Sequence, residues 1–202
     1  MAEAYNILIS SVGGQGGITL ARAFSTAAMG MGLNVRVGES LGMAQRGGSV
    51  SSHVRLGDGV HGALIPEGRA DVVLSLEPAE ALRVVKYISE RTTVIMNSSP
   101  VLPISVLLNE TSYPEIGEIE RVLRKVAGEV YTMDALDLAV KAGTSRSLNV
   151  VMLGAYMTLG KTVLSMEAIK GALKETLPPR YLEMNMRAFE MGMEEMRKNL
   201  SP

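Results

Sequence analysis

Apolar runs of strand length alternate along this chain with stretches whose apolar residues recur every three or four positions, the pattern of βαβ units around a parallel sheet. Ile7-Leu8-Ile9 leads into the glycine-rich stretch SVGGQGG, after which Leu20, Phe24, Ala27, Ala28 and Met31 fall at helical spacing. Strand, loop, helix is the order there. Residues 33–38 read as a second strand. In SVSSHVRL, Val50, Ser52, Val54 and Leu56 alternate with Ser49, Ser51, His53 and Arg55, the period of a strand, and Asp58-Gly59 then gives a hairpin-turn signal. Residues 71–76 and 92–97 are continuous apolar runs suited to buried parallel strands, with 78–88 helical between them. A further strand is expected at 129–133. The C-terminal part is helical over 148–159, 166–176 and a long segment after Pro178-Pro179. No repeat, low-complexity tract or linker interrupts the pattern, so residues 1–202 read as one α/β domain.

Composition narrows what such a domain can do. At 202 residues and 47% hydrophobic content the chain can bury one substantial core and has no need of two. Its net charge is -1 and it has no block of lysine or arginine, so the basic face that a nucleic-acid partner requires is missing. The absence of cysteine excludes a disulfide framework, a thiolate-held iron–sulfur cluster and a cysteine nucleophile. Cluster chemistry would therefore need a partner to carry the cluster. The start, MAEAYNILIS, has no basic region and only a short apolar run, and no stretch is long enough to span a membrane; the expectation is a soluble, cytoplasmic protein with no membrane partner.

Two loops carry the candidate chemistry. A glycine loop between a first strand and a first helix is where α/β proteins hold phosphates, because backbone N–H groups and the helix N-terminus point at the anion. Gly14 and Gly16 give the first two glycines of a G-x-G-x-x-G pattern, but Thr19 stands at the third, and no lysine follows as a P-loop would need. Glu39 lies where a ribose-binding acid would. The same glycines also serve a tight turn and close helix packing, and the pattern alone favours that use. The second loop, GMAQRGG, sets Arg46 beside the bare backbone of Gly47-Gly48. A guanidinium there can hold a carboxylate or phosphate bidentately, or it can make an ion pair, for instance with Glu39; both readings stay open.

Other residues read more plainly. His53 and His61 lack further ligands at metal spacing, so they are strand or interface histidines and no metal site is expected. Ser147 is expected to cap the helix that follows it, and Asn149 in the first turn could face a ligand, with capping the favoured use of this cluster. Leu182, Met186, Phe189, Met193 and Met196 form one helical stripe that must be buried, against the chain's own sheet or against a large partner.

The stretches SVGGQGGITLARAFSTAA, GESLGMAQRGGSVSSHVRLG, PEGRADVVLSLEPAEALR and SRSLNVVMLGA together resemble the beta subunit of indolepyruvate ferredoxin oxidoreductase, the counterpart of the gamma subunit in other 2-oxoacid:ferredoxin oxidoreductases. Other gamma subunits tend to carry an acidic residue shortly before the arginine, where this chain has Met43, Ala44 and Gln45. The resemblance implies a three-layer, Rossmann-like α/β domain that binds no cofactor alone. Thiamine diphosphate, magnesium and 4Fe-4S clusters are then expected on a large alpha subunit, with ferredoxin reached through the complex. The implied reaction converts an arylpyruvate and coenzyme A to an arylacetyl-CoA. Gly13, Gly14, Gln15, Gly16, Gly17, Met43, Gln45, Arg46, Gly47, Gly48 and Asn149 are the candidate contacts for coenzyme A or another anion; no catalytic residue is placed on this chain. The alternatives are a gamma subunit acting on pyruvate, a branched-chain 2-oxoacid or 2-oxoglutarate, and an independent nucleotide-binding regulatory module.

Overall fold

A computed structural model describes residues 4–42 and 47–200. Its sheet has six strands in the order β2-β3-β1-β4-β5-β6: β1 (Tyr5–Val12), β2 (Val35–Leu41), β3 (Ser49–Leu56), β4 (Val72–Ser75), β5 (Thr93–Asn97) and β6 (Glu129–Met133). Strands β1, β4, β5 and β6 run parallel, whereas β3 is antiparallel to both of its neighbours. Helices α1 (Gly17–Gly30), α5 (Ala135–Ala142), α6 (Leu148–Thr158), α7 (Met166–Thr176) and α8 (Pro179–Leu200) cover one face, and α2 (Pro78–Arg83) and α4 (Ile116–Leu123) the other. The pleat explains the three layers: Ile7 and Ile9 join the core under α1 and α6, while Leu8 joins the core under α2 and α4. A four-residue helix, α3 (Ile104–Leu107), buries none of its residues.

The hairpin lies elsewhere than Asp58-Gly59 suggests. Strands β2 and β3 are its two arms, so the second motif falls between them in sequence, and Asp58-Gly59 instead begins the crossing to β4. Glu39 is displaced by the same insertion. It sits exposed on the edge strand β2, separated from β1 by β3, and so is not beside the glycine loop as a ribose-binding acid would be.

His53 is a core residue. It is 1% exposed, its Nδ1 accepts a hydrogen bond from the Ile65 N–H at 3.2 Å, and its ring meets Tyr87 edge-on. Burial, with Lys86 and Arg55 nearby, lowers its pKa from 6.5 to about 4. The unfolded chain therefore takes up a proton below pH 6.5 that the folded chain refuses until about pH 4. Stability should fall across that window as pH drops, by roughly 3 kcal/mol from this residue. Denaturant titrations at pH 7 and 4.5 should show a smaller drop for His53→Gln than for the parent; equal drops would remove His53 as the cause.

Helix α6 is buried from Leu148 to Met157, and α8 packs on α6 and α5 rather than directly on the sheet. The stripe expected on α8 faces inward over most of its length: Phe189 and Met196 are fully buried and Met186 and Met193 pack on the same core, whereas Leu182 is half-buried and joins neither core.

Candidate functional site

The two glycine motifs meet at the carboxyl end of the sheet, where open α/β folds place ligands. Strand β1 ends at Val12 and the chain turns through Gly14 and Gly16, whose φ angles of +105° and +84° suit glycine. The Gly13 N–H donates to the Gly48 carbonyl at 2.9 Å, and the Gly47 N–H to the Gly13 carbonyl at 3.4 Å, which ties the first loop to the hairpin turn. Gln15 is used internally. Its Oε1 accepts from the Val12 N–H at 3.0 Å and its Nε2 donates to the Leu76 carbonyl at 3.0 Å, locking the loop across the ends of β1 and β4. Gly16 and Gly17 sit close against side chains: a Cβ would come within 2.6 Å of Asn149 Nδ2 and 2.5 Å of Ser11 Oγ, respectively, so those side chains would have to shift. Met43, Gln45 and Arg46 lie outside the described residues.

Asn149, 5% exposed, reaches from the first turn of α6 and donates from Nδ2 to the Gly16 carbonyl at 3.1 Å. It thereby sets the N-termini of α1 and α6 side by side. The leading N–H groups of α1 lack intrahelical partners, whereas at α6 the Leu148 N–H donates to the Ser145 carbonyl and the Val150 N–H to Asn149 Oδ1; both dipoles present positive ends. Between them opens a cavity of about 370 Å³ lined by Gly14, Gly16, Arg146, Ser147, Asn149 and Tyr181, among others. Ser147 does not cap α6 as its position suggests; its Oγ is buried with no hydrogen-bond partner. A buried hydroxyl and a cation beside two helix N-termini make an environment for an anionic group.

A second cavity of about 510 Å³ opens on the other side of the β1 end, between Gly47, Gly48 and Ser49 and the 101–114 segment. Sequence reasoning passed over its principal residue, Glu77, which is 1% exposed. Glu77 caps α2 through the Glu80 N–H at 3.0 Å, and its other oxygen accepts from the Tyr113 hydroxyl at 2.6 Å and the Val101 N–H at 3.2 Å. The Tyr113 hydroxyl also accepts from the Ala79 N–H at 3.0 Å. Burial and then the bond to Glu77 hold that phenol well above its ordinary pKa, so it stays a donor. Ser49 Oγ donates to Glu80, whose other oxygen pairs with Arg83 at 2.9 Å. The Glu77-Pro78 pair, an acceptor ahead of a proline at the first helical position, was the available sequence signal.

A thiolate-held iron–sulfur cluster does not fit this chain's residues. The chain has no cysteine, and among the described residues no three His, Asp or Glu side chains gather as ligands. Among the same residues, no helix is long and apolar enough to cross a membrane.

A mostly parallel sheet with a glycine loop at the end of its first strand defines the class, and the chain belongs to the pyruvate ferredoxin/flavodoxin oxidoreductase family, whose sequence model matches residues 6–195. Within that family it is 41% identical to the indolepyruvate oxidoreductase subunit IorB of Pyrococcus horikoshii, over 98% of this chain and 99% of that one. It is 27% identical to the pyruvate/ketoisovalerate oxidoreductases common subunit gamma of Thermococcus kodakarensis, over 88% and 89%. The fold matches the gamma subunit of a keto/oxoacid ferredoxin oxidoreductase from Geobacter sulfurreducens, with TM-score 0.69 and 24% identity over 96% and 99% of the chains. It also matches part of a 2-oxoglutarate:ferredoxin oxidoreductase from Magnetococcus marinus, solved with 2-oxoglutarate, coenzyme A and succinyl-CoA bound. That match has TM-score 0.74 and 19% identity, and covers 98% of this chain but 32% of the other.

Proposed function

We propose that this chain is the small subunit of a cytoplasmic indolepyruvate ferredoxin oxidoreductase, active with a large alpha subunit. The observation that carries the reading is the step in similarity, 41% to an indolepyruvate oxidoreductase subunit against 27% to a pyruvate/ketoisovalerate one, each over nearly the full chain. In the reaction the arylpyruvate carboxylate leaves as carbon dioxide, the acyl group joins the coenzyme A sulfur, the thiol proton is released, and two electrons pass to ferredoxin. Thiamine diphosphate and iron–sulfur clusters supply that carbanion and electron chemistry from the large subunit. Full-length family membership favours this over an independent nucleotide-binding module.

This chain's part is binding and positioning. The N-terminus of α1 presents N–H groups to a phosphate of coenzyme A, and Asn149 sets the positive end of the α6 dipole beside it, with Arg146 at the mouth of the cavity and Ser147 inside it. Arg46, between Gly42 and Gly47, supplies a planar fork for a phosphate or for the substrate carboxylate. The mutual bonds of Gly13, Gly47 and Gly48 hold that turn against the first loop, so one anionic co-substrate can span both.

Co-expression with the large subunit, followed by ferredoxin reduction with a panel of 2-oxoacids, tests the assignment. Indolepyruvate should give the highest kcat/KM; preference for pyruvate or a branched-chain 2-oxoacid would overturn it. Arg46→Lys keeps the charge and loses the fork, so the KM for coenzyme A or for the oxoacid should rise roughly tenfold or more. Unchanged constants for both substrates would end the anion-site role of Arg46.

A further inference from the structure

Residues 101–108, VLPISVLL, contain six aliphatic side chains in eight positions, yet five of them serve no core: Val101, Leu102, Ile104, Leu107 and Leu108 are 43–74% exposed. A stretch this apolar has no folding reason to face water, and contiguous exposed apolar surface marks an interaction site. The segment is also held in shape. Its first residues are fixed by Glu77 through the Val101 N–H and its far end by Glu77 through the Tyr113 hydroxyl, while the Glu110 N–H and Thr111 Oγ1 bond back to Ser105. A preformed apolar strap loses little conformational entropy on docking.

We infer that this strap is the surface on which the large subunit docks, an inference that rests on the function proposed above. Two observations select that occupant. In the 2-oxoglutarate enzyme the same fold is one part of a chain about three times as long, so there the unit is covalently joined to further parts of the enzyme rather than standing free. And the strap borders the candidate site: Val101, Pro103 and Val106 form one wall of the 510 Å³ cavity whose other wall is Gly47, Gly48 and Ser49. A partner seated on the strap also covers Gly47 and Gly48, which places the coenzyme A contacts proposed beside them at the junction of the two subunits. Apolar character of this kind suits an obligate interface.

The test uses the co-expressed complex with Ile104→Lys and Leu107→Lys, both at exposed positions, and Met29→Lys on α1, 61% exposed, as a control. Each chain alone should melt within a degree or two of the parent. The affinity for the large subunit should fall at least about 100-fold for the strap variants, as on loss of interface anchors, and stay unchanged for Met29→Lys. Strap variants that bind as the parent does would overturn the inference while leaving the proposed function intact. A parent chain that forms no complex at all would instead remove the function on which it rests. Self-association of the isolated chain that the strap substitutions abolish, with large-subunit binding unaffected, would assign the strap to a second copy and overturn the inference.

Discussion

Gly154→Ala is expected to destabilise the chain by about 3 kcal/mol or more, at the upper end of overpacking costs, because the new methyl has a backbone atom in its place. A Cβ on Gly154 would lie 2.0 Å from the Phe189 carbonyl oxygen, and one on Gly192 would lie 2.0 Å from that of Val151. The two glycines face each other's helices, so α6 and α8 cross backbone to backbone. A flexible side chain could turn aside, but a carbonyl in the middle of a helix moves only with the helix. The shift would propagate into Phe189, Ala188 and Met196, all at 0% exposure. Gly171 in α7 is the control. It is an exposed helical glycine with nothing within 4 Å of the place a methyl would take, so Gly171→Ala should stabilise by roughly 0.5–1 kcal/mol through helix propensity alone. Urea titrations of the two variants beside the parent check both signs; a Gly154→Ala chain as stable as the parent would mean that the helices separate at no cost.

What the sequence made legible follows the range of the forces involved. Strand β6 at Glu129–Met133 and helix α7 at Met166–Thr176 fall where local pattern puts them, and β4 and β5 lie inside their apolar runs, since buried parallel strands need both faces apolar. The antiparallel insertion of β3 between β2 and β1 is set by pairing between distant residues, and a turn signal at Asp58-Gly59 carries no information about that partner. His53 shows the same limit. Alternation assigns it to the face opposite Val54, but Tyr87 and Ile65 cover that face too, so both neighbours are buried. At the site, the glycine loop was visible as a loop, yet the use of Gln15 and Asn149 to fasten it depends on Leu76 and Gly16, which no local window brings together. Ser147 looked like a cap because serine favours that position, while its backbone conformation and burial turn the hydroxyl away from that task. Gly154 and Gly192 look in sequence like Gly171, another glycine inside a helical pattern, and only the close approach of α6 and α8 sets them apart.

Asn149→Asp should raise the KM for coenzyme A on the order of 100-fold in the assembled enzyme, the largest effect expected at the candidate site. The substitution keeps size and shape and changes two things. It replaces the Nδ2 donor, now 3.1 Å from the Gly16 carbonyl, with an oxygen that repels that carbonyl. It also sets a negative charge, 5% exposed in the parent, beside the helix N-termini where a phosphate is proposed to sit. In a site shielded from water, like charges about 4–6 Å apart cost several kcal/mol, of which a 100-fold change uses about 2.7. Asn149→Ala separates the two effects: it removes the donor without adding charge, so the loop loosens and the KM should rise only about tenfold, near the worth of one lost hydrogen bond. If the glycine loop and Asn149 serve packing alone, both variants lower the melting temperature and neither moves the coenzyme A constant. Steady-state kinetics at saturating indolepyruvate with coenzyme A varied, run beside thermal melts of the same preparations, distinguishes these outcomes. A KM for coenzyme A unchanged by Asn149→Asp in a folded complex would show that the anion binds elsewhere.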